Sequence, residues 1–488
     1  MSTAPSPGTQ VVEERGALDR FFEITRRGST RGTEVRGGVV TFVTMAYIVI
    51  LNPIILSSSP DVAGDSLGFA QVAAVTALTA GVMTILFGLI SRLPFAFAAG
   101  LGINSFLAVS VVGQVTWPEA MGLVMINGII IVILAATGLR RLIFDAVPVA
   151  LKTAITVGIG LFIAFIGFVD AGFVSSTGAS SPPVGLGVNG SIATIPTLLF
   201  VLTLLLCAIL MVLRVRGALL IGLVAGTVAA VIIESIWHLG PKVGADGDIN
   251  AGGWSLSVPA LPSSWVSIPD LSLVGQVDLF GAFGRIGGLA ATMLVFTLVF
   301  TNFFDAMGTM TGLSREADLA NEKGDFPRLR SALVVEGVGA IAGGFTSSSS
   351  NTVFVESASG IGEGARTGLS NVVTGLLFLL AMFLTPLTTI VPSEVASAAL
   401  VIVGALMMSQ IRHVDLSDLS VLIPVFLTVT VMPFTYSIAN GIGAGFISWV
   451  VIRSLSGKAK EISPLLWVVA AGFVVYFARG PIEAALGG

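Results

Sequence analysis

Apolar segments of bilayer-crossing length recur along almost the entire chain. A transmembrane helix needs roughly 20 apolar residues, and segments of about this length follow one another with short polar breaks between them. A further apolar stretch, 464–479, could span the membrane, lie along its interface or pack on the outside of the bundle. We predict an all-α polytopic membrane protein with transmembrane segments at 36–57, 69–91, 94–112, 119–138, 148–169, 194–213, 217–237, 286–312, 331–346, 348–362, 368–391, 394–411, 417–436 and 438–454.

The composition excludes an ordinary soluble domain. Of the 488 residues, 54% are hydrophobic and 11% are charged, whereas soluble domains have roughly 25% charged residues. The single cysteine, Cys207, excludes a disulfide framework. The two histidines form no Cys/His cluster with metal-binding spacing, so we expect no metal and no cofactor. No basic tract indicates nucleic acid binding, and the main partner we expect is the lipid bilayer.

The distribution of positive charge orients the chain. With the N-terminus in the cytoplasm, 21 of the 24 lysine and arginine residues fall on the cytoplasmic side, as the positive-inside rule requires. The predicted outer loops at 170–193 and 391–394 contain none of them. The first 35 residues lack the apolar core of a cleavable signal. We therefore predict a multi-pass protein of the plasma membrane with a cytoplasmic N-terminus.

The two halves of the chain carry similar markers. One apolar segment begins at Pro148 and ends near Asp170, and another begins at Pro392 and ends near Asp415. A glycine-rich pentapeptide at 222–226 has a counterpart at 441–445. Seven spans per half is an odd number, so the halves would have opposite orientations. An inverted 7+7 repeat is typical of secondary transporters, whose substrate site lies near the midplane between the repeats.

The third and tenth predicted spans are short and interrupted by small or polar residues. Residues 94–105 read PFAFAAGLGINS and include Gly102, and residues 346–360 read TSSSSNTVFVESASG. Neither would be stable as a continuous lipid-facing helix, so we predict discontinuous half-helices that line a cavity. A half-helix that begins at the midplane directs free N–H groups towards a ligand.

Carboxylates occur where a bilayer should exclude them. Asp305 lies in the eighth span, three residues after Asn302 on the same helix face, and Glu356 lies in the tenth. An intramembrane carboxylate costs several kcal/mol unless it is paired or solvated, and no basic residue lies well inside a predicted span. We therefore expect Asp305 and Glu356 to bind protons and to couple transport to them, rather than to form structural ion pairs.

Other polar and aromatic residues accompany these carboxylates. Glu336 in the ninth span has small neighbours, which favours a structural or helix-to-helix hydrogen bond. Asn104 could bind a ligand or satisfy backbone groups at a helix break, Phe354 could stack on a ligand or pack in the core, and Thr44 and Asn52 are ambiguous. The predicted substrate-binding residues are Asn104, Asp305, Glu356, Thr44, Gly102, Asn302 and Phe354.

These side chains favour an uncharged planar ligand. They supply carboxylates, carboxamides, hydroxyls and aromatic faces but no cation, so an organic or inorganic anion would remain unneutralised. A carboxylate accepts two parallel hydrogen bonds from the edge of guanine, and a Phe ring stacks on a base. The residues therefore favour a nucleobase.

At these residues the sequence resembles the nucleobase:cation symporter-2 (nucleobase–ascorbate transporter) family, and within it the AzgA-like guanine/hypoxanthine/adenine permeases. The resemblance covers nearly the whole chain. The motifs that carry it are FFEITRRGST at 21–30, TEVRGG at 33–38, TMAYIVILNP at 44–53, GLGIN at 100–104, FDAMGT at 304–309, VESASG at 355–360 and ARTGL at 365–369.

The resemblance implies a core domain of spans 1–4 and 8–11 and a gate domain of spans 5–7 and 12–14. It places Asn104, Asp305 and Glu356 at substrate-contacting positions, and implies proton symport, core movement against the gate, and a homodimer. The implied boundaries are a cytoplasmic N-terminal segment 1–35, core 36–138, gate 139–237, an extracytoplasmic loop 238–285, core 286–391, gate 392–454 and a C-terminal segment 455–488.

Two departures leave the substrate open among guanine, hypoxanthine and adenine. Many subfamily members carry an acidic residue where this chain has Asn302, and the first glycine-rich motif reads AAGLGINS rather than APGMGLNA. The alternatives are a pyrimidine or xanthine permease of the same family and, in a different class, an anion exchanger of the same fold. No catalytic constellation or metal cluster indicates an enzyme.

Overall fold

The computed structural model describes residues 16–138, 147–179, 181–188, 190–243, 248–255, 257–262, 264–320 and 326–478. Residues 1–15, 139–146 and 479–488 lie outside the described residues, and they belong to the predicted N-terminal, gate and C-terminal segments. Three of the basic residues assigned to the cytoplasmic side, Arg140, Arg141 and Lys323, also lie outside them.

Helices dominate the described chain. Their bounds are α1 Ala17–Phe22, α2 Arg31–Met45, α3 Ile48–Ser57, α4 Phe69–Ile90, α5 Leu101–Phe106, α6 Trp117–Thr137, α7 Val149–Asp170, α8 Ile195–Val212, α9 Ala218–Trp237, α10 Gly281–Ile286, α11 Gly288–Glu316, α12 Leu329–Thr346, α13 Ser357–Gly362, α14 Gly368–Ala381, α15 Thr385–Thr388, α16 Ser393–Met408, α17 Leu419–Phe434, α18 Ile438–Arg453 and α19 Pro464–Phe477. The described residues also contain four short strands, β1 Phe97–Ala99, β2 Val174–Ser176, β3 Val184–Leu186 and β4 Asn351–Val353, and short 3-10 and π-helical turns.

The helices have the length and composition of membrane spans. Eleven helices in the described residues are long and apolar enough to cross a bilayer, and each coincides with a predicted span. Shorter apolar helices occupy Leu101–Val111, Leu419–Phe434 and Pro464–Phe477. The prediction of an all-α polytopic membrane protein is confirmed, while the count of fourteen segments stays a prediction.

Local capping explains where several of these helices begin. Thr30 accepts a hydrogen bond from the Thr33 amide at 3.2 Å, and Thr116 and Glu119 form a capping box at α6. Such caps satisfy amide groups that the first helical turn leaves without an intrahelical acceptor. The first span has an additional break, because α2 ends at Met45 and α3 begins at Ile48.

The third and tenth spans are interrupted by two strands that cross in the interior. β1 and β4 pair antiparallel, with Phe97 opposite Val353 and Ala99 opposite Asn351, and every residue of both strands is buried. Pairing satisfies the backbone groups that a membrane interior would otherwise leave unbonded. Each strand leads into a short helix, α5 or α13. The structure therefore has the two discontinuous segments that the sequence predicted.

Glycines allow the long helices to pack closely. A Cβ added to Gly88 of α4 would lie 2.5 Å from the carbonyl oxygen of Gly368 in α14, and one added to Gly128 of α6 would lie 2.6 Å from that of Gly337 in α12. These pairs join spans 2 and 11 and spans 4 and 9. A seven-span repeat exchanges 2 with 9 and 4 with 11, so the two contacts are equivalent under the predicted repeat.

The long helices form two packed groups. The first contains α2–α6 and α11–α14 together with β1 and β4, and the second contains α7–α9 and α16–α18. The groups touch where α5 and α11 meet α7, where α11 meets α18, where α3 meets α16 and where α2 meets α9. Helix α19 packs against α18 and α11.

Candidate functional site

The three backbone interruptions lie next to one another. The break between α2 and α3 and the starts of α5 and α13 adjoin the crossing strands, and α11 contacts α5, β4 and α13. The first turn of a helix has amide groups with no intrahelical acceptor. The fold therefore collects polar backbone and polar side chains at one place inside an apolar bundle.

Glu356 forms the N-cap of α13 and is held from the first span. The Tyr47 hydroxyl donates a hydrogen bond to Oε1 of the Glu356 carboxylate. The Thr44 hydroxyl lies 3.5 Å from the backbone carbonyl oxygen of Glu356. Tyr47 is fully buried and Glu356 is partly buried. The structure thus brings predicted residues Thr44 and Glu356 together and fixes one carboxylate oxygen.

Asp305 supplies a second carboxylate at the same place. It is partly buried and lies within electrostatic reach of Glu356. Within the described residues, its carboxylate forms no hydrogen bond and no ion pair. Asn302, one turn earlier, is fully buried, and neither of its amide atoms has a described partner. Both Asp305 and the Asn302 amide are therefore available to another group.

A chain of carboxamides orients Asn104. The Thr76 hydroxyl donates to the Val72 carbonyl oxygen at 2.6 Å, so it can only accept from Asn52, whose amide nitrogen lies 2.7 Å away. The Asn52 amide oxygen must then be an acceptor, and it receives the Asn104 amide at 2.5 Å. The Asn104 oxygen has no described donor although it is buried. This oxygen is therefore free to accept a hydrogen bond from a ligand.

Two other predicted residues serve the packing around the site. A Cβ added to Gly102 would lie 2.7 Å from Cγ2 of Ile159 in α7, so α5 and α7 approach too closely there for a side chain. Phe354 is buried, and its amide donates to the Ala96 carbonyl oxygen at 2.9 Å. Contact of Gly102 and Phe354 with a substrate stays a prediction.

A third carboxylate lies behind the site. Glu336 of α12 is fully buried and faces the hydroxyl of Thr352 and the backbone of Val353 in β4, within electrostatic reach of Asp305. A positive charge approaches from the other group of helices, because Nζ of Lys152 lies 5.4 Å from the centroid of the Phe304 ring. Lys152 lies near the start of the predicted span 148–169.

Tyr47 is the residue that the sequence reasoning missed. The chain has three tyrosines, and a tyrosine in the middle of an apolar span has a hydroxyl that must find a partner when it is buried. The sequence therefore indicates that the Tyr47 hydroxyl needs a partner. It does not indicate which residue the partner is, because Glu356 lies 309 residues away.

Comparisons with known sequences identify the family of the chain. A model of a permease family matches residues 32–444. The adenine permease AdeP of Escherichia coli (strain K12) is 37% identical over 469 residues, which cover 96% of this chain and 97% of the relative. The guanine/hypoxanthine permease PbuG of Bacillus subtilis (strain 168) is 36% identical over 465 residues, which cover 94% and 99%.

Comparisons with solved structures support the fold alone. The transmembrane domain of the cyanobacterial bicarbonate transporter BicA matches with a TM-score of 0.56 at 16% identity, over 86% of this chain and 96% of that one. The murine Slc26a9 anion transporter in its inward-facing state matches with a TM-score of 0.57 at 9% identity, over 92% and 74%. Because the family model covers most of the sequence, the chain is a permease rather than an enzyme and belongs to the nucleobase–ascorbate transporter family.

Proposed function

We propose that this protein imports purine nucleobases by proton symport and that Asp305 and Glu356 bind both the base and the proton. The pairing of these two carboxylates beside Tyr47 is the observation that carries the proposal. The names of the relatives, which are adenine and guanine/hypoxanthine permeases, support a purine substrate.

The hydrogen-bonding capacity of Glu356 depends on its proton. An ionised carboxylate only accepts, whereas a protonated one donates and accepts at the same time. Guanine presents two adjacent N–H donors and matches the ionised form. Hypoxanthine and adenine each present a donor beside an acceptor and match the protonated form. Symport with a proton on Glu356 therefore favours hypoxanthine and adenine.

The remaining predicted residues complete the proposed site. The free Asn104 oxygen would accept a further N–H from the base, and the unpartnered Asn302 amide would meet its other edge. Thr44, Gly102 and Phe354 would form the surrounding wall.

The two packed groups of helices support an elevator-like movement. We assign spans 1–4 and 8–11 to a core that carries the base and spans 5–7 and 12–14 to a gate, since the half-helices belong to the first group. The proposal places the protein in the plasma membrane as a homodimer, with a cytoplasmic N-terminus.

Uptake into proteoliposomes tests this function. We would measure radiolabelled hypoxanthine, adenine, guanine and uracil with an imposed inward proton gradient, in wild type, Glu356→Gln and the matched control Glu461→Gln, whose carboxylate is exposed. Purine uptake that a protonophore abolishes, that Glu356→Gln loses and that Glu461→Gln retains is the expected result. Uptake of uracil alone, or sulfate and bicarbonate flux with no base uptake, would overturn the proposal.

A further inference from the structure

A cavity lies between the two groups of helices, and neither Asp305 nor Glu356 lines it. It has a volume of about 420 Å³, within the range of roughly 300–1,000 Å³ that small-molecule sites occupy. One wall is formed by the end of α3 and the segment after α5, including Ser58 and Gly113. The opposite wall is formed by α7 and the turn after α17, with Asp170 and Tyr436. With the proposed orientation, Ser58 and Asp170 lie at the outer ends of the first and fifth spans, so the cavity lies near the outer side.

Asp170 is an unusual residue for this position. It ends α7, and a negative charge at a helix C-terminus opposes the helix dipole. Within the described chain its carboxylate forms no hydrogen bond or ion pair, and the charged group that acts on it is another acid, Glu394. The helix C-terminus and Glu394 both disfavour a negative charge at Asp170. Its carboxylate is therefore available to accept hydrogen bonds from a ligand.

Tyr436 is fixed beside this carboxylate in a strained conformation. Its φ of +53° is rare for a bulky residue, and such outliers concentrate at functional sites. The Ser110 hydroxyl donates to the Tyr436 carbonyl oxygen at 3.1 Å. The ring packs edge-on against Phe162 and Phe165, with centroids 5.6 and 5.7 Å away. The phenol is therefore preorganised at the cavity wall.

One wall of the cavity belongs to the same helical segment as Asn104. Ser110 belongs to the π-helical turn Leu107–Val111, which extends α5. Ala108 lines the cavity and follows Asn104 by four residues, about 6 Å of helix rise. The Ala108 wall of the cavity thus lies about one helical turn from Asn104 along the chain.

We propose that this cavity is an outer subsite in which Asp170 accepts hydrogen bonds from the N–H groups of a purine and Tyr436 contacts its ring before the base reaches the central site. The inference rests on the proposed function, since it assigns the same substrate to a second position.

Cysteine labelling tests the subsite. Cys207 is the only cysteine and is fully buried, so a Cys207→Ser background allows single reporters. Gly113→Cys places a thiol where a Cβ would meet nothing within 4 Å, and Ser58→Cys is a second cavity position if the first fails to fold. Ser235→Cys, exposed outside the cavity, is the control. Adenine at ten times its Kd should slow maleimide labelling of the cavity thiol about tenfold, with no effect on the control thiol.

The central site is removed to isolate the outer one. In a Glu356→Gln background, protection by adenine should persist, and adding Asp170→Asn should abolish it. Protection that disappears with Glu356→Gln, or that survives Asp170→Asn, would overturn the subsite. Purine uptake without any protection would reject this inference alone, whereas the absence of both uptake and protection would reject the proposed function too.

Discussion

The Tyr47 hydroxyl donates a hydrogen bond to the carboxylate of Glu356 and so joins the break in the first span to the N-cap of the half-helix α13. The bond holds one carboxylate oxygen in place and leaves the other free to meet a ligand. Since Tyr47 is fully buried, no solvent molecule replaces its hydroxyl without a change in packing.

Tyr47→Phe is expected to impair transport without unfolding the protein. Loss of a hydrogen bond to a charged group costs about 1.5–3 kcal/mol, so purine uptake should fall about ten- to hundredfold. Tyr476→Phe, in a ring contact with Phe477 on α19, is the matched control and should transport normally. Initial uptake rates at equal protein content check the prediction, and equal rates for both variants would contradict a role for Tyr47.

Asn302→Leu should separate stability from function. The Asn302 amide is buried without a partner in the described chain, and replacing an unsatisfied buried group by an apolar one of similar size relieves a penalty of about 1–3 kcal/mol. We expect a higher thermal midpoint in detergent together with weaker purine binding. A lower midpoint would mean that the amide is satisfied within the fold, and unchanged binding would remove Asn302 from the site.

Much of the architecture could be predicted because bilayer physics acts on local sequence. Helix length and apolar composition define the spans, and Asp305 and Glu356 are conspicuous because charge inside a membrane is costly. Pairings between distant segments could not be predicted in this way. Three-residue strands such as β1 and β4 have too little periodicity to reveal a strand, and their pairing joins residues about 250 positions apart.

The polar contacts were hidden for the same reason. The Asn104–Asn52 bond depends on how α5 packs against α3, and Gly102 turned out to face Ile159. The types of residue that a site needs were visible, while their partners required the fold. Which of these residues touch a substrate stays a prediction for the experiments above.

Gly337→Ala tests the close packing of α6 and α12. An added Cβ would lie 2.7 Å from Cγ2 of Val132 and 2.8 Å from the Gly128 carbonyl oxygen, and overpacking typically costs about 1–3 kcal/mol. We expect a lower thermal midpoint. Gly312→Ala is the control, since nothing lies within 4 Å of its Cβ position, and it should be neutral or slightly stabilising. Similar midpoints for both variants would contradict the glycine contact.

An ion pair across the two groups of helices should affect the rate of transport. Arg216, between α8 and α9, pairs with Glu363, which follows α13 and is 5% exposed. If the groups move relative to each other, this pair must break in every cycle. Arg216→Gln should therefore change kcat while KM stays nearly constant.

Arg36 provides the matched control for that ion pair. It also binds Glu363, at 2.8 Å, but it belongs to the same group of helices as Glu363. Arg36→Gln should lower the thermal midpoint but should not change kcat, because the Arg36–Glu363 pair does not cross between the two groups of helices. Equal effects of Arg216→Gln and Arg36→Gln on kcat would argue against movement at this interface.

Asp418 is the N-cap residue that precedes α17 and lies outside the helix, at its cytoplasmic end on the proposed orientation. We expect the stability of the protein to respond to acid through this residue. Nζ of Lys458 lies 2.6 Å from Oδ2 of Asp418, and its hydrogen bond holds the pKa of that carboxyl well below its usual range, together with bonds from Ser420. A depressed pKa in the folded state contributes stability above the unfolded value of about 3.9, and the contribution is lost as the pH falls below it.

Lys458→Gln should therefore lower the thermal midpoint at pH 7. Lys460→Gln is the control, because Lys460 is exposed two residues further along the chain. The gap between wild type and Lys458→Gln should narrow as the pH falls below about 4, and a gap that stayed constant would show that Lys458 acts through packing rather than through the Asp418 charge.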